Sequence, residues 1–216
     1  MNRALIVVDA QLDYGPLGKV AIAHPPLEVS AANIATALSA AEAADIPVIV
    51  VRQLSPAGGW AFAEGTPGAQ LMPEVAAARS ALVVDKTLPS SFARTGLDDW
   101  LRSRGIERLT LIGYMTQNCV ESTARDASHL GYTVEVLSDA TGTVGLTNAA
   151  GRLTARQVHE SALVVMASRF ASVGSTADWC RSLATGDAWP APDLSTSVRP
   201  ATQAPRSPAT APSRSS

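Results

Sequence analysis

Several kinds of residue are scarce in this chain, and each scarcity excludes a class of protein. There are only two cysteines, Cys119 and Cys180, and they form neither a CxxC motif nor a metal-binding cluster, so in a reducing cytosol both would be free thiols. The 17 Lys and Arg residues form no basic stripe, which leaves nucleic-acid binding without an electrostatic basis. No apolar run approaches the roughly 20 residues of a membrane span. We therefore expect neither nucleic acid nor membrane as a partner.

The N-terminal segment MNRALIVVDAQLDY carries one arginine and a short apolar run. That run is too short for the hydrophobic region of a signal peptide, and Asp9 follows it at once. The overall composition, 46% hydrophobic and 17% charged, is typical of a globular domain. We interpret the run as a first β-strand and expect a cytoplasmic protein.

Short apolar runs alternate with segments of helical spacing along most of the chain. The runs are ALIVVDA at the N-terminus, IPVIVVR at 46–52, ALVVDK at 81–86, RLTLIGY at 108–114 and YTVEVLSDA at 132–140. Runs rich in β-branched residues and without polar alternation are typical of strands that are covered on both faces of a parallel sheet. Helical spacing occurs at about 27–41, 97–101, 120–130 and 147–167, and RFASV after it could form a sixth, edge strand before a closing helix. This pattern predicts an α/β fold with a doubly wound parallel sheet and helices on both faces.

The chain divides into a domain and a tail of different composition. Residues 1–185 hold the alternating pattern, whereas residues 186–216 are dominated by Pro, Ala, Ser and Thr. Such a segment has little apolar surface to bury, so we predict a disordered tail over 186–216. Within the domain, two long connections at 10–26 and 53–80 follow the carboxyl ends of strands, where long loops usually carry function.

Three chemically complementary residues follow strands of the predicted sheet. Asp9 ends the first run, Lys86 ends the third, and Cys119 follows the fourth near the start of a helix. Ligands of such sheets bind at the carboxyl ends of strands, and amides at a helix N-terminus can stabilise a thiolate or an oxyanion. A carboxylate could accept the thiol proton, and an ammonium could stabilise both groups. Each residue alone is equally compatible with packing, a turn cap or a solvated strand end, so these residues by themselves leave the function open.

The segments ALIVVDAQLDY, VVDKTLPSSF and LIGYMTQNCVESTARDA together resemble the isochorismatase-like cysteine hydrolases, over about residues 3–184. The resemblance implies a three-layer fold around a six-stranded parallel sheet of order 3-2-1-4-5-6. It also implies that Cys119 is the nucleophile, Asp9 the general base and Lys86 their electrostatic partner. A cis peptide bond between Tyr114 and Met115 is implied as well, with an oxyanion hole formed by the backbone N–H groups of Met115 and Cys119.

The same resemblance implies acyl transfer through a thioester without a cofactor, in a homodimer or larger homo-oligomer. Nicotinamidases of this family carry a metal site, D-x-H with a further histidine, shortly after strand 2. The corresponding segment here, VVRQLSPAGGWAFAEG, contains no histidine. His24, His129 and His159 are isolated in the sequence, and we expect the last two on helix surfaces. We therefore predict no catalytic metal, which argues against a nicotinamidase.

Three functions remain open, and the cysteine favours one of them. The turn MTQNC resembles the MTHMC turn of streptothricin hydrolase-like amide hydrolases, with Gln117 where histidine is often found. The first interpretation is a metal-independent cysteine hydrolase that cleaves an amide or cyclic amide C–N bond of a small molecule. The second is an isochorismatase-type vinyl-ether hydrolase. The third is a catalytically idle binding or scaffold protein, against which the presence of Asp9, Lys86 and Cys119 together argues.

Residues next to these three positions are the predicted walls of a small-molecule pocket, where aromatic and apolar groups with few polar ones are typical. The predicted substrate-binding residues are Gln11, Tyr14, Trp60, Phe92, Tyr114 and Gln117. Trp60 is equally compatible with a loop anchor or a subunit contact. Cys180 we interpret as packing, and Asp139 as a structural residue that caps a neighbouring segment.

Overall fold

The computed structural model describes residues 2–198. The strands are β1 (Arg3–Val8), β2 (Val48–Gln53), β3 (Leu82–Lys86), β4 (Arg108–Tyr114), β5 (Thr133–Gly142), β6 (Leu146–Asn148), β7 (Gly151–Leu153) and β8 (Ser172–Gly174). The helices are α1 (Leu27–Ala43), α2 (Pro73–Ala76), α3 (Leu97–Ser103), α4 (Glu121–His129), α5 (Ala155–Arg169), α6 (Thr176–Thr185) and α7 (Leu194–Ser197). In the described part of the chain, no helix has the length and apolar character needed to cross a membrane.

Six of the strands form one parallel sheet in the order β3-β2-β1-β4-β5-β8. The predicted six-stranded α/β fold is confirmed, and the short edge strand β8 is its sixth strand. β1 lies at the centre, where Val8 pairs with Val51 on one side and with Gly113 on the other. The carboxyl ends of β1, β2 and β4 therefore meet at one point of the sheet edge, where the direction of strand order reverses.

Apolar clusters cover both faces of the sheet, which explains why the strand sequences lack polar alternation. On one face, Ile6, Leu109 and Leu111 pack against buried residues of α3, α4 and α5. On the other face, Leu5 and Ile112 pack against buried residues of α1, α2 and α6. These two layers of helices hold the central strands in place, so the strand ends that carry polar residues are fixed by the core beneath them.

The segment after β5 differs from the prediction. We expected a helix from about 147, but residues 146–153 form the antiparallel hairpin β6–β7, and α5 begins at Ala155. A capping box fixes that start, because the Thr154 side chain accepts from the Gln157 backbone N–H and the Gln157 side chain accepts from the Thr154 backbone N–H. Gly151 has a φ of +147°, which favours glycine and suits the turn of the hairpin better than a helix.

The first part of the predicted tail contacts the domain. The Trp189 ring lies so close to Gly174 of β8 that a Cβ on that glycine would be 2.7 Å from the ring. The Ser172 hydroxyl donates to the backbone oxygen of Pro190 at 2.7 Å. One aromatic side chain and one hydrogen bond thus attach residues up to 190 to the edge strand, a contact that composition did not predict. Further along the predicted tail, Leu194–Ser197 form the short helix α7, which differs from the expected disorder, and residues 199–216 lie outside the described residues.

Candidate active site

Asp9 and Lys86 form a buried ion pair at the carboxyl edge of the sheet. Asp9 directly follows β1 and is fully buried, and its backbone N–H donates to Val51 at 3.0 Å. Its φ of +50° is uncommon for a residue with a side chain and requires support from its surroundings. Lys86 is the last residue of β3, and its Nζ lies 2.7 Å from Asp9 Oδ2. The sheet thus brings together two charges that are 77 positions apart in the sequence.

Gln53, which the sequence analysis missed, lies between these two residues at the end of β2. The Lys86 ammonium donates to Gln53 Oε1 at 2.8 Å and to the backbone oxygen of Leu88 at 3.2 Å. Gln53 is paired in register with Lys86 across β2 and β3. This pairing is the signal that could have identified it, but a register is known only once the sheet is assembled.

Gln11 was predicted to contact substrate, and in the structure its side-chain amide makes hydrogen bonds to the backbone. Its Oε1 accepts from the Gln53 backbone N–H at 2.8 Å, and its Nε2 donates to the backbone oxygens of Gln53 at 3.0 Å and Ala69 at 2.8 Å. The side chain is fully buried. Gln11 therefore clamps the end of β2 to the long loop that follows it.

Cys119 lies in a wide helical turn between β4 and α4. We call residues 116–120 the nucleophile turn; its N–H to C=O bonds span five residues, as from Val120 to Met115 at 3.2 Å. The peptide bond between Tyr114 and Met115 is cis. Gly113 comes just before, and a Cβ there would lie 2.0 Å from the Val8 backbone oxygen. Only glycine allows this close approach of β4 to β1, which places the turn beside Asp9.

Burial and charge set the protonation of the cluster formed by Asp9, Lys86 and Cys119. Burial and the Asp9 charge raise the pKa of Cys119 to about 12, against the opposing effect of Lys86. Burial also raises the pKa of Asp9, while the Lys86 charge lowers it. The thiol is therefore protonated at neutral pH. The Asp9 carboxylate contacts both the Lys86 ammonium and the Cys119 thiol, so it is placed to accept the thiol proton.

An aromatic group adjoins the cluster on the side of the long loops. Tyr14 is 2% exposed, and its ring packs against those of Phe62 at 4.9 Å and Tyr114 at 5.4 Å. Burial raises the pKa of Tyr14 well above its usual value, and the charges of Asp9 and Cys119 add to the effect. Tyr14 therefore lies near the cluster, as predicted for a wall residue. The Tyr114 hydroxyl is 2.8 Å from the Ser30 hydroxyl of α1.

Asp13 joins the two long loops that cover this group. Its carboxylate accepts from the backbone N–H groups of Phe62 at 2.5 Å and Lys19 at 3.3 Å. Gly68 packs directly on that carboxylate, since a Cβ there would lie 2.3 Å from Asp13 Cγ. Asp9, Lys86 and Cys119 are themselves at most 4% exposed. A groove of about 620 Å³, lined in part by Glu42, Asp45 and Glu74, lies at the opposite, amino-terminal edge of the sheet and contains none of them.

Three further predicted wall residues have different surroundings. Gln117 is half-buried, and its Oε1 accepts from the Thr143 hydroxyl at 2.6 Å. Phe92 stacks on Tyr132, just before the start of β5, with ring centroids 5.9 Å apart, and it packs against the apolar cluster that contains Cys119. Trp60 is 73% exposed in the loop after β2. Contact of these three residues with a substrate stays a prediction.

The prediction that His159 lies on a helix surface is wrong. Its side chain is only 4% exposed, and its Nδ1 lies 2.8 Å from the Thr116 hydroxyl of the nucleophile turn. Its ring also contacts the His24 ring at 5.4 Å, so these two histidines are not isolated in space. The spacing of His159 with the buried Ala162 and Met166 puts all three on one helix face, which is the signal that could have revealed its burial. His129 is exposed.

Two further predictions concern groups outside the cluster. Asp139 caps the start of α6, because it accepts from both the backbone N–H and the hydroxyl of Thr176, at 2.8 and 2.7 Å. Cys180 is half-buried among apolar residues of the second core cluster. Across residues 2–198, no group of three or more His, Cys, Asp or Glu side chains is placed to hold a metal ion.

Comparisons with known proteins agree with this geometry. The model of the isochorismatase domain matches residues 3–178. The secreted isochorismatase effector Isc1 of Verticillium dahliae is 34% identical over 82% of this chain and 90% of its own length. The ureidoacrylate amidohydrolase RutB of an Enterobacter species (strain 638) is 32% identical over 83% of this chain and 88% of its own.

A solved structure extends the agreement to three dimensions. The crystal structure of a candidate isochorismatase from Burkholderia xenovorans LB400 matches with a TM-score of 0.88 and 44% identity, over 90% of this chain and 93% of that one. Both the sequence and the strand order of the sheet are thus shared along almost the whole described domain. The chain belongs to the isochorismatase family.

Proposed function

We propose that this protein is a metal-independent cysteine hydrolase that cleaves the C–N bond of a small amide or cyclic amide through a thioester on Cys119. The observation that carries the proposal is the buried Cys119 thiol next to the Asp9–Lys86 ion pair, because the Asp9 carboxylate contacts both the Lys86 ammonium and that thiol. An amide is also the kind of bond named in the description of the related RutB proteins, which are amidohydrolases.

The first half of the reaction uses the raised pKa of the thiol. Because Cys119 is protonated in the free protein, it needs a base at the moment of attack, and Asp9 is the neighbouring carboxylate. Asp9 accepts the thiol proton while the sulfur forms a bond to the amide carbonyl carbon. Lys86 stays charged beside both groups and stabilises the thiolate as it develops.

The negative charge on the carbonyl oxygen needs donors at the nucleophile turn. Met115 is the residue before that turn, and its backbone N–H makes no hydrogen bond within the described chain. A free N–H in a half-buried position is suited to an oxyanion. We assign the oxyanion hole to the backbone N–H groups of Met115 and Cys119.

The second half returns every group to its starting state. Asp9 gives its proton to the amide nitrogen, the C–N bond breaks, and the amine or ammonia leaves. Asp9 then accepts a proton from water, whose oxygen attacks the thioester carbonyl. The C–S bond breaks, the sulfur recovers the proton from Asp9, and a carboxylic acid is released.

One alternative has support of its own. The names of the family model and of Isc1 refer to isochorismatases, so a vinyl-ether substrate is the second candidate function. Ether cleavage does not need a cysteine nucleophile. The two candidates therefore differ in what loss of the Cys119 sulfur does, and a single variant separates them.

The test is a search for acyl-enzyme by intact-protein mass spectrometry across a panel of small amides that begins with ureidoacrylate. We expect an adduct on wild-type protein that maps to Cys119 and that disappears in Cys119→Ala together with hydrolysis. Cys180→Ala is the matched control and should keep both. Hydrolysis that persists in Cys119→Ala would overturn the covalent mechanism and favour ether-type chemistry. Activity that survives EDTA is also expected, and its loss would contradict metal independence.

A further inference from the structure

His159 is a buried titratable residue that the proposed mechanism does not use. It lies on α5, while Thr116, its partner, is the first residue of the nucleophile turn and precedes Cys119 by three positions. The Thr116 hydroxyl and His159 Nδ1 are 2.8 Å apart, and the two residues are 0% and 4% exposed. Water therefore does not compete for this hydrogen bond, and the bond links the turn directly to a helix of the core.

The surroundings of the His159 ring keep it neutral. Burial and the neighbouring His24 lower the pKa of His159 to about 4, so the ring carries no charge at neutral pH. A neutral ring has one N–H and one unprotonated nitrogen, and its tautomer sets whether the Thr116 hydroxyl donates to Nδ1 or accepts from it. The same two side chains are joined in both tautomers.

The nucleophile turn has few other side-chain anchors. Its backbone folds back on Met115, whose oxygen accepts from the N–H groups of Asn118 and Val120. Gln117 is tied to Thr143 at 2.6 Å on the β5 side. Thr116 and Gln117 thus attach the turn to two different elements, and of these two contacts only the one to His159 is between residues that are both buried.

We propose that His159 is a positioning residue that holds the nucleophile turn, and with it the Cys119 sulfur, through the Thr116 hydroxyl. The expected effect on catalysis rests on the proposed function. The restraint of the nucleophile turn does not, because it is a property of the folded protein. A shift of the sulfur by even 1 Å relative to Asp9 is enough to slow acyl transfer strongly.

The test combines two readouts on variants of the full chain. Thr116→Val removes the hydroxyl at constant shape. His159→Phe removes the ring nitrogen that bonds to this hydroxyl and keeps an aromatic ring. Thr116→Ser restores a hydroxyl at position 116. Hydrogen exchange read by mass spectrometry should show faster exchange of the 116–120 amides in the first two variants and near wild-type exchange in the third. Acetylation of Cys119 by p-nitrophenyl acetate should slow by about 10- to 100-fold in the first two, with little change in the apparent KM, and recover in the third.

Thr110→Val is the matched control. Thr110 is also a fully buried threonine whose hydroxyl donates to a side chain, Glu135, but it lies in the strand before the turn, away from Cys119. This variant should lose stability without faster exchange at 116–120 and without slower acetylation per folded molecule. The same pattern in Thr116→Val and Thr110→Val would overturn the inference.

The two proposals fail in different ways. If wild-type Cys119 is not acetylated, the proposed function loses its nucleophile, while the exchange data still decide whether His159 holds the turn. If wild-type Cys119 is acetylated and Thr116→Val matches it in both exchange and rate, the positioning role of His159 is wrong and the proposed function stands. Should one of Thr116→Val and His159→Phe fail to fold, the other supplies the same comparison, because each removes one side of the same hydrogen bond.

Discussion

A carboxylate is buried next to cationic side chains at each end of the central strands, but the contacts of the two carboxylates differ. At the amino-terminal end, Glu135 accepts from Arg108 at 2.9 Å and from the Thr110 hydroxyl at 2.8 Å, and Arg3 lies 3.8 Å away. At the carboxyl end, Asp9 Oδ2 lies 2.7 Å from the Lys86 ammonium, and the Asp9 carboxylate also contacts the Cys119 thiol. Both carboxylates are at most 2% exposed.

We interpret the difference as one between a structural charge and the charge that the proposed mechanism uses. At the Glu135 end, both carboxylate oxygens accept hydrogen bonds from arginine and threonine side chains that take no part in the proposed reaction. At the Asp9 end, the carboxylate contacts the Lys86 ammonium and the Cys119 thiol. Only Asp9 therefore has a thiol within reach from which it could take a proton.

Asp9→Asn should produce the largest effect and act mainly on rate. The amide cannot take the proton of a thiol whose pKa is about 12, so we expect acylation of Cys119 to fall by about 10²- to 10⁴-fold. Stopped-flow measurement of p-nitrophenolate release gives the rate directly. Because burial raises the Asp9 pKa, activity in the wild type should also be lost on acidification at a pH above the usual carboxyl range. A variant that still acylates at the wild-type rate would remove Asp9 from the mechanism.

Glu135→Gln should invert that outcome by weakening the fold without weakening catalysis. It leaves two arginines, whose side chains are only 18% and 12% exposed, without a counter-charge, which costs about 3 kcal/mol in the free energy of unfolding. Urea denaturation followed by circular dichroism measures the loss. Activity per folded molecule should equal that of the wild type; a loss of turnover comparable to that of Asp9→Asn would mean that the two ends are not functionally distinct.

His159 should contribute a pH dependence to stability that neither carboxylate explains. Its pKa falls from 6.5 in the unfolded chain to about 4 in the folded one, so the unfolded chain binds the extra proton first. Stability is therefore fully present above pH 6.5 and is lost as pH falls towards 4, by about 3 kcal/mol in total. His24 and Glu160 act on the same ring. Unfolding curves at pH 7 and pH 4.5 should show a smaller difference for His159→Gln than for the wild type, and equal differences would contradict the buried neutral ring.

Arg156→Gln should have the smallest effect and sets the baseline for the comparison. Its ion pair with Glu160 spans one turn of α5, with side chains 68% and 57% exposed. Solvent screens such pairs, so we expect a change below about 0.5 kcal/mol and no change in acylation. The same urea and stopped-flow assays apply. A larger loss of stability would show that the position of a substitution on α5, rather than the burial of the charge it removes, determines its effect.

The sequence predicted those parts of the site that follow from strand ends. Asp9 and Lys86 each end an apolar run and Cys119 follows another, so the parallel sheet alone brings them to one edge. Gln53 required the register between β2 and β3, which depends on long-range pairing that no local pattern encodes. The ring contacts of Phe92 could not be predicted either, because the course of a loop depends on packing after the sheet has formed.

Two predictions were wrong although the sequence contains features that indicate the observed structure. The spacing that puts His159 on the same helix face as Ala162 and Met166 is visible in the sequence. Histidine is also common on helix surfaces, and the prediction followed its polar character instead of this spacing. The hairpin before α5 was concealed by apolar spacing that continues through it, although Gly151 and the Thr154–Gln157 pair mark the true start of the helix.

The burial of Cys119 also determines what an inhibitor has to achieve. Because the Cys119 side chain is only 4% exposed, a reagent that bonds to its sulfur first needs a change in the packing around that side chain. We therefore expect compounds of equal chemical reactivity but different width to differ in the rate at which they inactivate the protein. Selectivity among such compounds is then decided by access to the sulfur before any bond to it is formed.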